Sequence, residues 1–263
     1  MMDHVRAAHS SSSIRSCLVA WLVLLAALVS CTSRASEPRS AQPSYVVWLA
    51  HPWSGHSAPT VILGHGCAGI IPHQTRSMAR ALNSWGYNAV AVDSLGPRGL
   101  RSVCKARPAW GAAERTPEIY TVARITGEQS WHAGGMAYVG WSHGGSLGLV
   151  LGSEDEGVFS AIVSYYPSCH TSMVANRSVK VPTLLLTSKG DTWTPPHQCE
   201  DITGITRHVM FDTATHAWDI QAPDRVVYGE HLRYDLAADA ASLSALKEFL
   251  KDYLSESRTS LTP

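Results

Sequence analysis

The residues with the most chemical content lie in Gly140-Trp141-Ser142-His143-Gly144, a G-x-S-x-G pentapeptide. It directly follows an apolar run, Met136 to Val139, and opens a segment of small residues and leucines, GGSLGLVLG. A serine in a sharp strand-to-helix turn has its hydroxyl exposed, and glycines two residues to either side remove Cβ atoms that would clash there. The N-terminus of the following helix favours negative charge developing beside it. The phosphate-loop pattern G-x-x-x-x-G-K-[ST] is absent. Serine alone is a poor nucleophile: it needs a base, and the base needs an acid to orient it. Asp191 follows the apolar run Thr183 to Thr187, and His216 follows Arg207 to Phe211, so each is expected just past a strand. Rivals are less well placed. His208 falls inside an expected strand, His231 has no strand-end context, and Asp201 and Asp212 are expected to be solvated or to cap helices. The chemistry this set of residues would support is acyl transfer to water.

Such a reaction needs donors in place before an oxyanion forms. Leu63-Gly64-His65-Gly66-Cys67-Ala68-Gly69 follows the apolar run Thr60 to Leu63, and its glycines let the main chain approach closely. The backbone N–H groups of Cys67 and His143 are therefore the candidate oxyanion donors, and His65 is read as a structural loop histidine. Trp141 and Trp193 flank the site, either shaping an apolar pocket or filling the core.

These residues must be positioned by a scaffold, and the hydropathy pattern describes one. Strands are expected at Tyr45 to Ala50, Thr60 to Leu63, Ala89 to Val92, Met136 to Val139, Ala161 to Tyr165, Thr183 to Thr187 and Arg207 to Phe211. Helical spacing marks Thr75 to Trp85, His143 to Leu151 and Leu236 to Leu254. Strands alternating with helices imply an α/β fold, a mostly parallel sheet with helices on both faces. Functional groups then gather beyond the carboxyl ends of the strands. Gly96 to Glu128, with its arginines and prolines, is the least regular part and reads as a loop, a lid or an insertion.

The chain has 263 residues, 45% hydrophobic and 16% charged, which excludes a disordered polymer. Its 21 basic side chains balance its 21 acidic ones, so no general attraction for nucleic acid is expected. Nothing in it specifies an oligomeric state.

Arg6 and Arg15 precede an apolar run, Cys17 to Val29, too short for a comfortable transmembrane helix and suited to a secretory signal. Two endings compete. Ser33-Arg34-Ala35 resembles a cleavage site that would leave Ser36 first. Leu28-Val29-Ser30-Cys31 resembles a bacterial lipobox, the preferred reading, which would lipidate Cys31 and attach the protein to a membrane. Thr32, not aspartate, follows that cysteine, which implies the outer membrane where one exists. Residues 1–31 are thus expected to be a signal, 32–44 a tether, and 45–263 one catalytic domain. Exported chains form disulfides, and Cys67, Cys104, Cys169 and Cys199 allow three connectivities. No C-x-x-C pair occurs, so no metal site is expected.

Taken together, HGCAG at 65–69, AVDSLGPRG at 91–99, GWSHGG at 140–145, GDTWTP at 190–195 and HAWD at 216–219 resemble the α/β-hydrolase superfamily and, more narrowly, dienelactone hydrolase-like proteins. The matches span most of the chain after the signal. The resemblance implies a single-domain hydrolase without cofactor, with Ser142, Asp191 and His216 as its triad. One departure matters: dienelactone hydrolases proper carry a cysteine at the elbow, where this chain has Ser142. That favours a serine carboxylesterase acting on a small-molecule ester. A peptidase or a lactone hydrolase of the same fold is the nearest alternative, and a non-catalytic lipidated binding protein is the rival of another class. Asp93 and Arg98, in the DS-x-G-P-R-G segment, are expected to form a structural ion pair. The same layout pairs Cys67 with Cys104 and Cys169 with Cys199, since each pair follows neighbouring strands.

Overall fold

The structure, a computed structural model, describes residues 46–50, 57–105 and 111–254. The expected signal at residues 1–31, with Cys31, and the expected tether at 32–44 lie outside the described residues.

Among the described residues seven strands form one sheet in the order β1-β3-β2-β4-β5-β6-β7. They are β1 Val46–Ala50, β2 Ala58–Gly64, β3 Asn88–Asp93, β4 His132–Trp141, β5 Ala161–Tyr165, β6 Thr183–Ser188 and β7 Arg207–Phe211. The pairings from β2 to β7 are parallel, and β1 runs antiparallel to β3 at the edge. The α-helices among the described residues that pack on the sheet are α1 Met78–Ser84, α2 Thr116–Gly127, α3 His143–Glu154 and α4 Leu236–Leu254. A separate two-stranded hairpin, β8 Arg225–Val227 with β9 Glu230–Leu232, lies between His216 and α4 in the chain.

Why the central strands are apolar throughout is visible in their alternation. In β2, Val61 and Leu63 join the core on one face while Ile62 joins the other; in β6, Leu184 and Leu186 oppose Leu185. Successive side chains of a strand point to opposite faces, so a sheet covered on both sides needs apolar residues at every position. Leu82 of α1 and Leu246, Phe249 and Leu250 of α4 fill the first core. Ile119 and Val122 of α2 and Leu147 and Leu151 of α3 fill the second. Each fully buried aliphatic side chain contributes about 1.5–3 kcal/mol.

The sheet and its two helical layers are those read from the sequence; besides the unexpected β8–β9 hairpin, four points differ. The described part of Gly96 to Glu128, read as a loop, a lid or an insertion, contains a regular helix, α2, whose Ile119, Val122, Ala123 and Thr126 are buried at helical spacing behind Pro117 in the first turn. β4 begins at His132 and not Met136, because a bulge lets Ala58 pair with His132 before Thr60 pairs with Met136. The helix expected from Thr75 starts as a wide turn over His73–Ser77 before α1. The expected Asp93–Arg98 pair does not form. Arg98 pairs instead with the buried Glu118 of α2 and donates to the Ser94 carbonyl, while Asp93 accepts from the backbone N–H groups of Leu95 and Gly96. A short carboxylate satisfies local N–H groups at a turn more readily than it reaches a long guanidinium that has a better partner.

Both disulfides are Cys67–Cys104 and Cys169–Cys199. Among the described residues no helix is long and apolar enough to cross a membrane.

Candidate active site

Ser142 sits between β4 and α3 with φ 53° and ψ −116°, a conformation L residues avoid at a cost of about 1–3 kcal/mol. The turn is held from both sides. Its N–H donates to the Tyr165 carbonyl at 2.9 Å, and its carbonyl accepts from Ser146 N–H at 2.9 Å. Gly144 shows why the motif needs glycine: a Cβ there would lie 2.2 Å from the Gly64 carbonyl oxygen. The elbow therefore packs backbone to backbone against the loop that follows β2.

Asp191 lies past the end of β6, and His216 past β7. The His216 ring reaches both partners: Nδ1 is 2.8 Å from Asp191 Oδ2, and Nε2 is 3.0 Å from Ser142 Oγ. Asp191 and His216 are buried. The Asp191 carboxylate also accepts from the backbone N–H groups of Trp193 and Thr194, each at 2.9 Å, and from the Thr194 hydroxyl at 2.7 Å. A carboxylate saturated with donors has a fixed orientation, and it in turn sets which ring nitrogen of His216 carries the proton. Gly190 permits this convergence, since a Cβ there would lie 2.6 Å from the Thr213 carbonyl on the loop that leads to His216.

Behind His216 stands Tyr166, edge-on at 4.6 Å between ring centroids. Its hydroxyl donates to Asp219 Oδ1 at 2.6 Å, and Asp219 Oδ2 lies 3.2 Å from His73 Nε2. His73 is a largely buried base whose carboxylate neighbour raises its pKa against the opposing effect of burial, burial being the largest single influence and the combined hydrogen bond and charge of Asp219 outweighing it. Burial, followed by the Asp219 charge, holds the Tyr166 phenol well above its ordinary pKa, so it stays a donor.

The loop Gly64–Gly69 lies against the elbow, with Gly66 close enough that a Cβ would touch Ser142 Cβ at 3.4 Å. It is braced by Arg115, which is fully buried just before α2. Arg115 donates to the His65 carbonyl at 2.9 Å and to Ser94 Oγ at 3.0 Å, and lies 3.2 Å from His143 Nδ1. One guanidinium thus ties the loop to the start of α3. His65 is structural, as its loop position suggested: its Nε2 accepts from Ser94 N–H at 3.1 Å and its Nδ1 lies 2.7 Å from the Gly66 carbonyl. Burial, then the Arg115 charge, keeps it neutral by lowering its pKa well below 6.5. No sequence signal marks Arg115 for this role, since a lone arginine in an irregular segment carries no pattern.

Above Ser142 opens a largely apolar cavity of about 310 Å³. Gly66, Cys67, Ser142 and His216 line it at the elbow, and Trp193, Tyr228 and Leu232 form a wall. Of the two flanking tryptophans, Trp193 therefore lines the cavity. Trp141 is fully buried and stacks on Tyr165 at 5.6 Å, as a core residue. The Cys67–Cys104 disulfide also borders the cavity and ties the Gly64–Gly69 loop to residues after β3. The rival residues are elsewhere: His208 bonds Thr187 across β6 and β7, Asp212 pairs with Lys189, Asp201 pairs with Arg177, and His231 lies in β9. Among the described residues no group of acidic, histidine or cysteine side chains has the arrangement to hold a metal ion.

Solved structures share this architecture. Dienelactone hydrolase from Anabaena variabilis superposes with a TM-score of 0.59 at 19% identity, over 82% of this chain and 94% of that one. XC6422 from Xanthomonas campestris, an α/β serine hydrolase without a lid, gives 0.56 at 15% identity, over 81% and 91%. These likenesses establish the α/β-hydrolase fold. No curated protein sequence matches the chain. The model of the dienelactone hydrolase family matches residues 46–254. With that match running from β1 to the end of α4, the chain belongs to the dienelactone hydrolase family.

Proposed function

We propose that the protein is a serine hydrolase that cleaves small carboxylic esters through a covalent acyl-enzyme. The observation that carries this reading is the unbroken chain of hydrogen-bond distances from Asp191 through His216 to Ser142 Oγ at the reactive end of an apolar cavity. Family membership supports a hydrolase acting on a small molecule.

In this reading His216 Nε2 takes the hydroxyl proton as Ser142 Oγ attacks the ester carbonyl carbon. Asp191 holds the imidazole with its proton on Nδ1 and stabilises the imidazolium. Backbone N–H groups of Cys67 and His143 bind the oxyanion; losing one such donor typically costs about 10²–10³ in rate. His216 then protonates the leaving alcohol, and a water activated by the same ring releases the acid. Tyr166 and Thr194 keep the ring and the carboxylate in register. The two disulfides suggest an oxidising compartment. We extend the reading to export by residues 1–31, lipidation at Cys31, a tether at 32–44 and a single catalytic domain from 45.

Hydrolysis of p-nitrophenyl acetate by the wild type and Ser142→Ala tests the chemistry. The wild type turns over with burst kinetics, a fluorophosphonate probe labels Ser142, and the alanine variant loses both. Equal rates in the two proteins would remove the serine mechanism. Mass spectrometry of the mature N-terminus tests the anchor: a diacylglyceryl mass on Cys31 supports it, and a free Ser36 overturns it.

A further inference from the structure

Non-glycine residues with left-handed backbone are few among the described residues: Ser142, Asp155, Tyr166, Ala217 and Tyr228. Asp155 caps the end of α3. The other four all line the cavity above Ser142. Three of these have an evident reason to be there. Ser142 is the elbow, Tyr166 packs on His216, and Ala217 follows His216 directly. Strained backbone persists where surrounding structure or function over-determines it. Tyr228 is the one whose role the hydrolytic machinery does not explain.

Tyr228 and Gly229, with φ 58° and 95°, form the two-residue turn of the β8–β9 hairpin, where Val227 pairs with Glu230. Both central positions of such a turn need positive φ, so Asn-Gly or Asp-Gly is the favoured pair and tyrosine is a poor occupant. The side chain is half exposed, so burial does not account for it. Its surroundings do aim it. The Trp193 ring meets it edge-on at 6.0 Å, and Lys105 Nζ lies 4.4 Å from its ring centroid. The hairpin is clamped to the loop that carries Asp191, as Thr192 donates to Glu230 at 2.5 Å. Trp193 in turn lies 5.0 Å from the His216 ring, inclined at 38°. A continuous aromatic surface therefore runs from His216 through Trp193 to Tyr228, along the cavity that opens on Ser142.

We propose that Trp193 and Tyr228 are specificity-determining residues, forming an aromatic wall that selects esters carrying a planar aromatic group. This rests on the ester-hydrolase reading above and adds a substrate class to it. Ring faces and edges attract one another in offset and edge-to-face arrangements beyond simple area burial. An aromatic substrate group beside Trp193 is also next to the imidazole that must reach the leaving oxygen.

The test compares kcat/KM in two ester series for the wild type, Tyr228→Asn and Tyr228→Phe. One series varies the alcohol: methyl, phenyl and 1-naphthyl acetate. The other varies the acyl group: methyl propanoate, benzoate and cinnamate. Intrinsic ester reactivity cancels when each variant is divided by the wild type. Tyr228→Asn puts a favoured residue in the turn, so it folds and melts within about 3 °C of the wild type. Its aryl-to-alkyl ratio falls about five- to tenfold in one series, and that series shows whether the ring is carried by the alcohol or the acid. Tyr228→Phe keeps the wild-type ratio. An unchanged ratio in both series, or an equal loss on every ester, would make Tyr228 a hairpin latch and overturn the wall. A wild type that hydrolyses no ester, or a Ser142→Ala variant as active as the wild type, would instead bring down the ester reading and this inference with it.

Discussion

The reactive end of the cavity and the hairpin that walls it are held in different ways. Around Ser142, Asp191 and His216 are buried and held by several contacts: the Asp191 carboxylate has backbone and hydroxyl donors besides His216, and the elbow is tied to β5 and to the Gly64–Gly69 loop. The β8–β9 hairpin consists of three-residue strands, pairs only with itself in the strand register, and leaves Val226 60% exposed and Tyr228 51% exposed. Groups that break bonds need fixed geometry, since a small misplacement costs rate steeply. A wall that selects a substrate only has to present a surface, and a hairpin attached by a few contacts is easily remodelled. The same cavity thus joins a part whose residues are mutually constrained to a part that can vary.

That contrast is open to attack, beginning where the effect should be largest. Asp191→Asn keeps the size of the side chain but favours the wrong tautomer of His216, so kcat on p-nitrophenyl acetate should fall about 10⁴-fold with the fold intact by circular dichroism. A loss below tenfold would deny that Asp191 orients the ring. Gly144→Ala drives a Cβ into the Gly64 carbonyl, whose backbone cannot move aside without shifting the elbow. It should cost about 3 kcal/mol or prevent folding, as read by urea unfolding; a neutral result would mean that the elbow and loop are not in rigid contact. Arg115→Met leaves the His65 carbonyl and Ser94 without their buried donor. A stability loss of about 2–3 kcal/mol is expected, together with a fall in kcat that exceeds any rise in KM. Should kcat hold steady, Arg115 braces the fold and not the reaction.

Acid sensitivity should belong to the buried part as well. His65 has a folded pKa well below 6.5, so the unfolded chain binds the extra proton first as the pH falls. The stability it contributes is complete above about 6.5 and is lost as the pH drops from there toward its folded pKa. His132 and His208, also lowered by burial, add to the same limb. His65→Gln should flatten part of the slope of the unfolding midpoint between pH 7 and pH 5, and an unchanged slope would refute the assignment. At the small end of the scale, Val226→Ser on the exposed side of the hairpin should change stability by less than about 0.5 kcal/mol. A larger loss would show that the hairpin is packed more tightly than its exposure indicates.

Much of this was readable in the residues. The central strands announced themselves because both faces are covered, which makes β2 and β6 continuous apolar runs of unmistakable type. The elbow was readable because close backbone approach tolerates only glycine at 144, and the ends of β6 and β7 pointed to Asp191 and His216. Helix α2 was missed although its apolar spacing is regular, since the prolines and arginines before it dominate the segment. The β8–β9 hairpin was missed for a different reason. Its turn pair is Tyr228-Gly229 and not the Asn-Gly that local energetics favour, so the usual signal of a tight turn was suppressed at the position where the cavity uses a ring. Likewise, the DS-x-G-P-R-G segment that the chain shares with its family suggests a pair between Asp93 and Arg98, while the preference of Arg98 for Glu118 depends on a helix packed from elsewhere.

What the chain alone determined was the scaffold and the strand ends along it at which Ser142, Asp191 and His216 stand, because hydrophobic periodicity and glycine at close approaches are local demands that each stretch of residues must meet by itself. The partners of Arg98 and Arg115, the division of labour between Trp141 and Trp193, and the ring wall of the cavity were decided only by tertiary structure. Those outcomes depend on which distant segments meet, and a buried charge or an exposed ring takes its meaning from neighbours that no spacing in the sequence encodes.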